Sequence, residues 1–259
     1  MLDSILLPAL SSVQREWKRF FRQRGRVIGS LGTPLVFWVF LGTGLGAAFP
    51  SPQMPGGLGY IEYFFPGMIL LTLLFSSIFS TISLIEDRNE GFLQGVLISP
   101  VSRSAIVAGK ILGGSGVAVV QGLIFLALAP LAGFSPSLSW VATAGVIVLT
   151  SLMLSCLGYI FAWRLDSVQG FHSVMNLVLM PMWLLSGTFF GLEKAPIWIK
   201  PIMWINPLTY SLIAIRSSLY QDYSSLMVPF GICILVLTLF GVSLFSLAVW
   251  MTEKGEASR

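Results

Sequence analysis

The sequence predicts an all-α membrane protein of six transmembrane helices, and three observations carry that reading. The chain has 259 residues, of which 55% are hydrophobic and 10% charged, where soluble domains carry about 25% charged residues. Its mean hydropathy is +0.85, which leaves too little polar surface to cover a water-soluble globule of this size. The apolar residues run continuously over bilayer-length stretches instead of alternating, which argues for helices over a closed barrel. The basic residues gather between particular pairs of these stretches, as membrane topology would require.

The elements follow in chain order. In residues 5–25, Leu6, Leu7, Leu10, Val13, Trp17, Phe20 and Phe21 recur at three- and four-residue steps, and Arg15, Lys18, Arg19 and Arg22 fill the other face. That pattern predicts an amphipathic helix in the membrane interface, its cations beside anionic head groups. Charge-free runs then predict spans at about 27–49 and 63–85. Residues 111–163 lack charge and are too long for one crossing, and "PLAGFSPS" at 130–137 divides them. Spans near 106–129 and 139–162 result, because proline and glycine interrupt helices. A fifth span falls at 170–191 and a sixth at 226–250. Between those two, Pro196, Pro201 and Pro207 cut an apolar segment into pieces too short to cross. Short helices at the surface or a re-entrant pair both satisfy it, since irregular backbone at membrane depth needs protein or water around it.

An even number of spans puts both termini on one side. That side holds Arg15, Lys18, Arg19, Arg22, Arg24, Arg26, Arg88, Arg103, Lys110, Arg164, Lys254 and Arg259, twelve of the fifteen basic residues. The other side keeps Lys194, Lys200 and Arg216. The positive-inside rule makes the richer side cytoplasmic. The pI near 9.3 therefore reflects topology, and nucleic-acid binding is set aside.

Recognisable catalytic chemistry is missing from the sequence. No G-x-x-x-x-G-K-[ST] phosphate loop occurs. His172 is the single histidine, and no His/Cys cluster has metal-ligand spacing. Ser186 in "LLSGTF" lacks the surroundings of an activated serine, and no carboxylate falls within a span, where ion-coupled carriers place one. Cys156 and Cys233 sit inside apolar runs as small hydrophobes. An enzyme and a proton-driven carrier are both disfavoured.

One passage departs from the low charge of the rest. "EDRNEGFLQGVLISPVSR", residues 86–103, opens with Glu86, Asp87, Arg88 and Glu90 between two apolar runs. Phe92, Leu93, Val96 and Leu97 follow at helical spacing, Ser99–Pro100 ends that helix, and Ser102 or Ser104 caps the next. A short helix there, charged at one end and apolar on one face, suits docking into a groove on a soluble partner. An ordinary connecting loop is the alternative.

The passage resembles the cytoplasmic signature of ABC-2-type permeases, the membrane subunits of ATP-binding-cassette exporters. Glu86, Glu90, Gly91, Leu93, Leu97, Ser99, Pro100, Gly109 and Lys110 match that pattern, with Phe92 and Val96 as departures. A second stretch, 184–219, resembles the family's outer segment through Ser186–Gly187, Asn206–Pro207–Leu208–Thr209 and Arg216, while Gly191 and Ile213 depart from it. The resemblance covers nearly the whole chain and implies one transmembrane domain over 1–259. It implies a coupling helix between spans two and three, where Glu86, Arg88, Glu90, Gly91, Phe92, Leu93, Leu97 and Pro100 meet an ATPase. It implies short re-entrant helices between spans five and six, with Ser186, Gly187, Pro201, Asn206, Pro207 and Arg216 at an outer gate. Arg216 is expected near the interface, paired with Glu193 or Asp222.

The function implied is export of a hydrophobic or amphipathic substrate such as a drug, antibiotic or lipid across a bacterial inner membrane. ATP and Mg belong to separate ATPase subunits, and this chain is not an enzyme and holds no cofactor. The expected partners are those ATPases, a second copy of the permease, and membrane lipids. A polysaccharide or lipo-oligosaccharide cargo is an alternative, with Trp183, Phe189, Phe190, Trp198, Trp204 and Tyr210 lining a passage or forming an interfacial belt. A non-transporting scaffold recruiting a soluble protein is a reading of another class. The orientation predicts that Ser137→Cys or Ser51→Cys is modified by an impermeant maleimide on intact cells and Ser102→Cys is not. The reverse pattern overturns it.

Overall fold

The computed structural model of the chain describes residues 3–22, 24–48, 59–93, 95, 102–192, 195–220 and 228–254. Among them, the regular elements are all helices. In order they are α1 (Asp3–Arg22), α2 (Arg24–Ala48), α3 (Tyr60–Ser80), α4 (Ile82–Asn89), α5 (Arg103–Leu126), α6 (Ser139–Arg164), α7 (Val168–Trp183), α8 (Lys200–Ile205), α9 (Pro207–Leu219) and α10 (Phe230–Lys254). A 3₁₀ turn at Ala129–Ala132 follows α5, and a π turn at Leu184–Thr188 extends α7.

Among the described residues, five helical stretches are long and apolar enough to cross a membrane: Tyr60–Asn89, Arg103–Leu126, Ser139–Arg164, Val168–Thr188 and Phe230–Lys254. A shorter apolar stretch, Ile28–Gly44, lies within α2. The expected spans 63–85, 106–129, 139–162, 170–191 and 226–250 overlap these five stretches, with α3–α4 continuing past residue 85 to Asn89 and α10 lying four residues later than expected. The expected interface helix 5–25 ends at Arg22, and α2 begins at Arg24.

The α3–α4 rod is the axis of packing. In its apolar stretch 89% of residues are buried, against 17% in α10. Phe64, Phe65, Met68, Ile69, Leu70 and Leu71 point in every direction around α3 and are all fully enclosed, as expected of a helix that is apolar all round. α2, α5 and α6 surround it, α10 packs on α6 and α9, and α1 lies along α5.

Lipid tails are as apolar as leucine, so interior contacts between these helices rest on close packing and matched hydroxyls. Thr143 and Ser218 approach to 2.8 Å, Thr150 donates to Ser211 at 3.1 Å, and Tyr159 and Thr252 lie 3.1 Å apart. These pairs tie α6 to α9 and α10. Gln121 donates to Ser30 at 2.7 Å and ties α5 to α2.

Pro66 lies inside α3 and lacks the N–H that Glu62 O would accept four residues back. The Tyr220 hydroxyl fills the gap, donating to Glu62 O at 2.9 Å. One residue on, the absence of a side chain at Gly67 lets the π turn press against α3. The Trp183 indole N–H donates to Gly67 O at 2.9 Å, and a Cβ on Gly67 would stand 2.2 Å from Thr188 Cγ2.

Gly67→Ala is therefore expected to lower stability by about 1–3 kcal/mol through overpacking. Adding Thr188→Ala, which removes the clashing methyl, should recover part of the loss. Thermal unfolding midpoints in detergent measure both.

Candidate functional site

The passage that stood out in the sequence forms the end of the α3–α4 rod. The buried face of the rod runs through Ser80, Ser83, Leu84 and Asp87, positions three and four apart that share one side of a helix. Asp87 is 0% exposed, so its charge must be met at close range. Arg15 and Arg19 reach it from α1 and Lys110 from α5, with Arg19 at 3.0 Å. Lys110 also binds Glu16 at 2.5 Å and donates to Ser83 at 3.3 Å. Arg19 binds Glu86 at 2.6 Å. Three carboxylates, Glu16, Glu86 and Asp87, thus meet three cations, Arg15, Arg19 and Lys110, and the formal charges cancel.

The α1 contact depends on Gly113 of α5, where a Cβ would lie 2.9 Å from Glu16 Cβ and Cγ. This corrects the amphipathic reading of α1. The sequence pattern put Arg15, Lys18, Arg19 and Arg22 together on a head-group face. Lys18 and Arg22 are exposed, while Arg15 and Arg19 turn toward α4. A buried carboxylate holds a guanidinium more strongly than solvent-screened head groups do, and the periodicity of α1 does not register what lies across from it.

Arg88, the next residue, serves a different element. It donates to Ala162 O at 2.9 Å, Trp163 O at 2.8 Å and Leu165 O at 3.4 Å, and pairs with Asp166 at 3.1 Å. These carbonyls lie at the C-terminal end of α6, where helix bonding leaves acceptors free and the dipole favours a cation.

Beyond Asn89 the chain turns outward. Gly91 has φ 76° with open space where a Cβ would stand, so it supplies the bend and not a close approach. Glu90 is exposed and lies 4.0 Å from Arg19. Phe92 is 47% exposed, its ring 3.7 Å beneath the Arg15 guanidinium. Leu93 is buried at 4% and joins the core, so it is not the surface anchor that its spacing suggested. Leu97 and Pro100 lie outside the described residues. Ser102 is the cap of α5, its hydroxyl accepting from Ala105 N at 3.3 Å.

The second predicted group sits at the opposite end. Asn206 caps α9 by accepting from Leu208 N at 3.0 Å, and its amide donates to Met182 O at 2.6 Å, joining α9 to α7. Pro207 starts α9 and Pro201 starts α8, so both prolines open helices at positions that need no N–H donor. Ser186 is buried and donates to Trp183 O at 2.7 Å, and Gly187 adopts φ 99° within the π turn. Arg216 is 5% exposed, not interfacial as expected. Its guanidinium lies 4.1 Å from the Tyr63 ring centroid and donates to Tyr63 O at 3.4 Å. Among the described residues no carboxylate lies within ion-pair distance of it. Glu193 and Asp222 lie outside those residues.

Sequence reasoning missed Asp87 as the centre of the first group, with Arg15, Glu16, Arg19 and Lys110 around it. Two signals were present. Asp87 continues the buried face past the end of the apolar run, and Glu16 lies among Val13, Trp17 and Phe20 on the apolar stripe of an otherwise basic segment.

A bundle of apolar span-length helices, with a node of paired charges at one end, defines an integral membrane protein whose sequence holds no recognisable ATP site. Residues 9–220 match the ABC-2 type transporter family, and the chain belongs to it. The chain is 26% identical over 221 residues to Nodulation protein J of Rhizobium leguminosarum bv. viciae, covering 84% of each. It is 23% identical over 232 residues to the inner membrane transport permease YadH of Escherichia coli K12, covering 88% of this chain and 87% of YadH. The putative transport permease ycf38 of Cyanophora paradoxa is 26% identical over 250 residues, 93% of this chain and 80% of that protein. Members of the family are the membrane permease components of ABC transporters.

Asp87→Asn is expected to leave the node with excess positive charge and to cost about 3–5 kcal/mol, the usual penalty for breaking a buried pair from one side. Lys110→Gln added to it should restore part of that stability. Unfolding midpoints of the single and double variants decide the matter.

Proposed function

We propose that the chain is the membrane-spanning permease subunit of an ABC exporter, driven by ATP hydrolysed with Mg on a separate partner chain. The carrying observation is the exposed tip Glu90–Phe92. It projects from the end of the one rod that runs through the middle of the bundle, and it belongs to a chain of the ABC-2 family. Glu90 supplies charge complementarity and Phe92 an apolar anchor, the combination that steers and holds a partner surface. Glu86, Arg88 and Leu93 support the tip from behind.

In this reading α2 is the first of six spans, and the whole chain is one transmembrane domain in a bacterial inner membrane. Two copies pair. The α1 end and both termini face the cytoplasm, where Lys18 and Arg22 meet lipid head groups. The α8–α9 pair is re-entrant on the outer side, and Arg216 holds the outer gate through Tyr63.

The cargo is hydrophobic or amphipathic. Two cavities of about 380 and 460 Å³ open on the flank between α5, α6, α7 and α10. Their walls, including Met153, Leu157, Phe161, Phe240 and Leu244, are uncharged and mainly apolar, with Asn206 and Thr238 the polar exceptions. A saccharide-bearing cargo is favoured by one feature: Trp198 and Trp204 are exposed at the far end, with the Trp204 and Tyr210 rings 6.3 Å apart. Stimulation of the partner's ATP hydrolysis by lipophilic dyes, as against a lipo-oligosaccharide, separates the two.

Phe92→Ala or Glu90→Lys should leave the permease in the membrane at normal abundance and weaken its hold on the ATPase. Loss of one interface anchor typically costs about 2 kcal/mol, roughly thirtyfold in affinity. Co-purification and hydrolysis in liposomes test this. Full association and full stimulation of hydrolysis in both variants would make the tip a solvated connector.

A further inference from the structure

Glu86, Asp87 and Arg88 are consecutive, and a helix turns about 100° per residue. Their side chains therefore leave α4 in three directions. Glu86 meets α1 through Arg19, Asp87 meets α1 and α5 through Arg15, Arg19 and Lys110, and Arg88 meets the end of α6. We propose that Asp87 and Arg88 are positioning residues that make α1, α4, the start of α5 and the α6–α7 turn one rigid body. A push received at Glu90–Phe92 then moves all of these elements together.

The two ties resist parting for different reasons. Asp87 has no solvent to fall back on, so separating α1 or α5 from α4 strands a buried charge. Arg88 spreads its guanidinium over three carbonyls and one carboxylate. Only a planar fork of five donors spans such a set, and an ammonium does not. Further from the node, the buried residues Thr150, Ser211, Thr143 and Ser218 join α6 to α9 by single hydroxyl contacts, which can be exchanged at lower cost. The body is thus stiff near the tip and looser toward the far end. The Arg15 guanidinium over the Phe92 ring joins the tip itself to the node.

This inference rests on the exporter reading for its purpose, but the rigidity is measurable without it. Nitroxides on Lys18→Cys and Gln169→Cys, both exposed and outside the node, report the separation of α1 from the start of α7. The labelled chain is diluted with unlabelled chain in nanodiscs and measured by electron double resonance, alone and with the ATPase trapped by ADP and vanadate. The expected result is one narrow distance, unshifted by trapping, in the otherwise unsubstituted chain, and a broadened or shifted distance with Arg88→Gln. Arg88→Lys, which keeps the charge but loses the fork, serves if Arg88→Gln does not accumulate, and the same broadening is expected. A shift on trapping without the Arg88 substitution, or a distance that stays equally narrow with it, overturns the proposal. Failure of the chain to co-purify with the ATPase sinks the exporter reading instead, and the measurement on the permease alone still judges the rigid body.

Discussion

A carboxylate with no exposure to solvent, Asp87, is the constraint on which the α1 end of the protein depends. It sits where the apolar axis of the bundle ends, and its charge is tolerable only if cations come to it. Arg15 and Arg19 from α1 and Lys110 from α5 do so. Those cations in turn need Glu16 and Glu86 to bring the node to neutrality. The position of α1 against α5 and the bare backbone at Gly113 serve that one requirement, while Gly91 sets the bend at which the tip leaves α4.

The opposite end is organised by backbone chemistry instead of charge. Pro66 leaves Glu62 O without its helical donor, and Tyr220 supplies one. Asn206 caps α9 and holds Met182 O at the end of α7. Within hydrocarbon each unmatched backbone group is expensive, so interruptions in the helices must be matched from neighbouring elements. The buried cation Arg216 is met there by an aromatic face and a carbonyl. The two ends therefore differ in chemistry: ion pairs around a buried carboxylate on one side, backbone hydrogen bonds and one cation on an aromatic face on the other.

The spans were legible because hydropathy and length act locally. A stretch of about 20 apolar residues is constrained by the bilayer whatever its neighbours do, and a cap at Ser102 or Ser104 is read within three residues of sequence, Ser102 being the one that caps α5. The unusual charge of residues 86–90 was legible as well, and so was its match to the ABC-2 pattern. The partners of those charges were not. Glu16 and Lys110 lie 94 residues apart and Arg15 and Asp87 72 apart, and no periodicity within one helix records a contact with another. Of the six expected contact residues that the structure describes, Glu90, Gly91 and Phe92 stay at the exposed tip, while Leu93 joins the core and Glu86 and Arg88 meet neighbouring helices.

By itself the sequence determined the class of solvent, the all-helical character of the apolar stretches, and the family. These depend on composition and on patterns within one turn or one span. Tertiary structure alone decided which of the charges are spent inside the molecule. Asp87 and Arg88 are adjacent in sequence and look alike there, yet one is enclosed by three cations and the other clasps a helix end. Burial and pairing are properties of the space between helices, and only their packing creates that space.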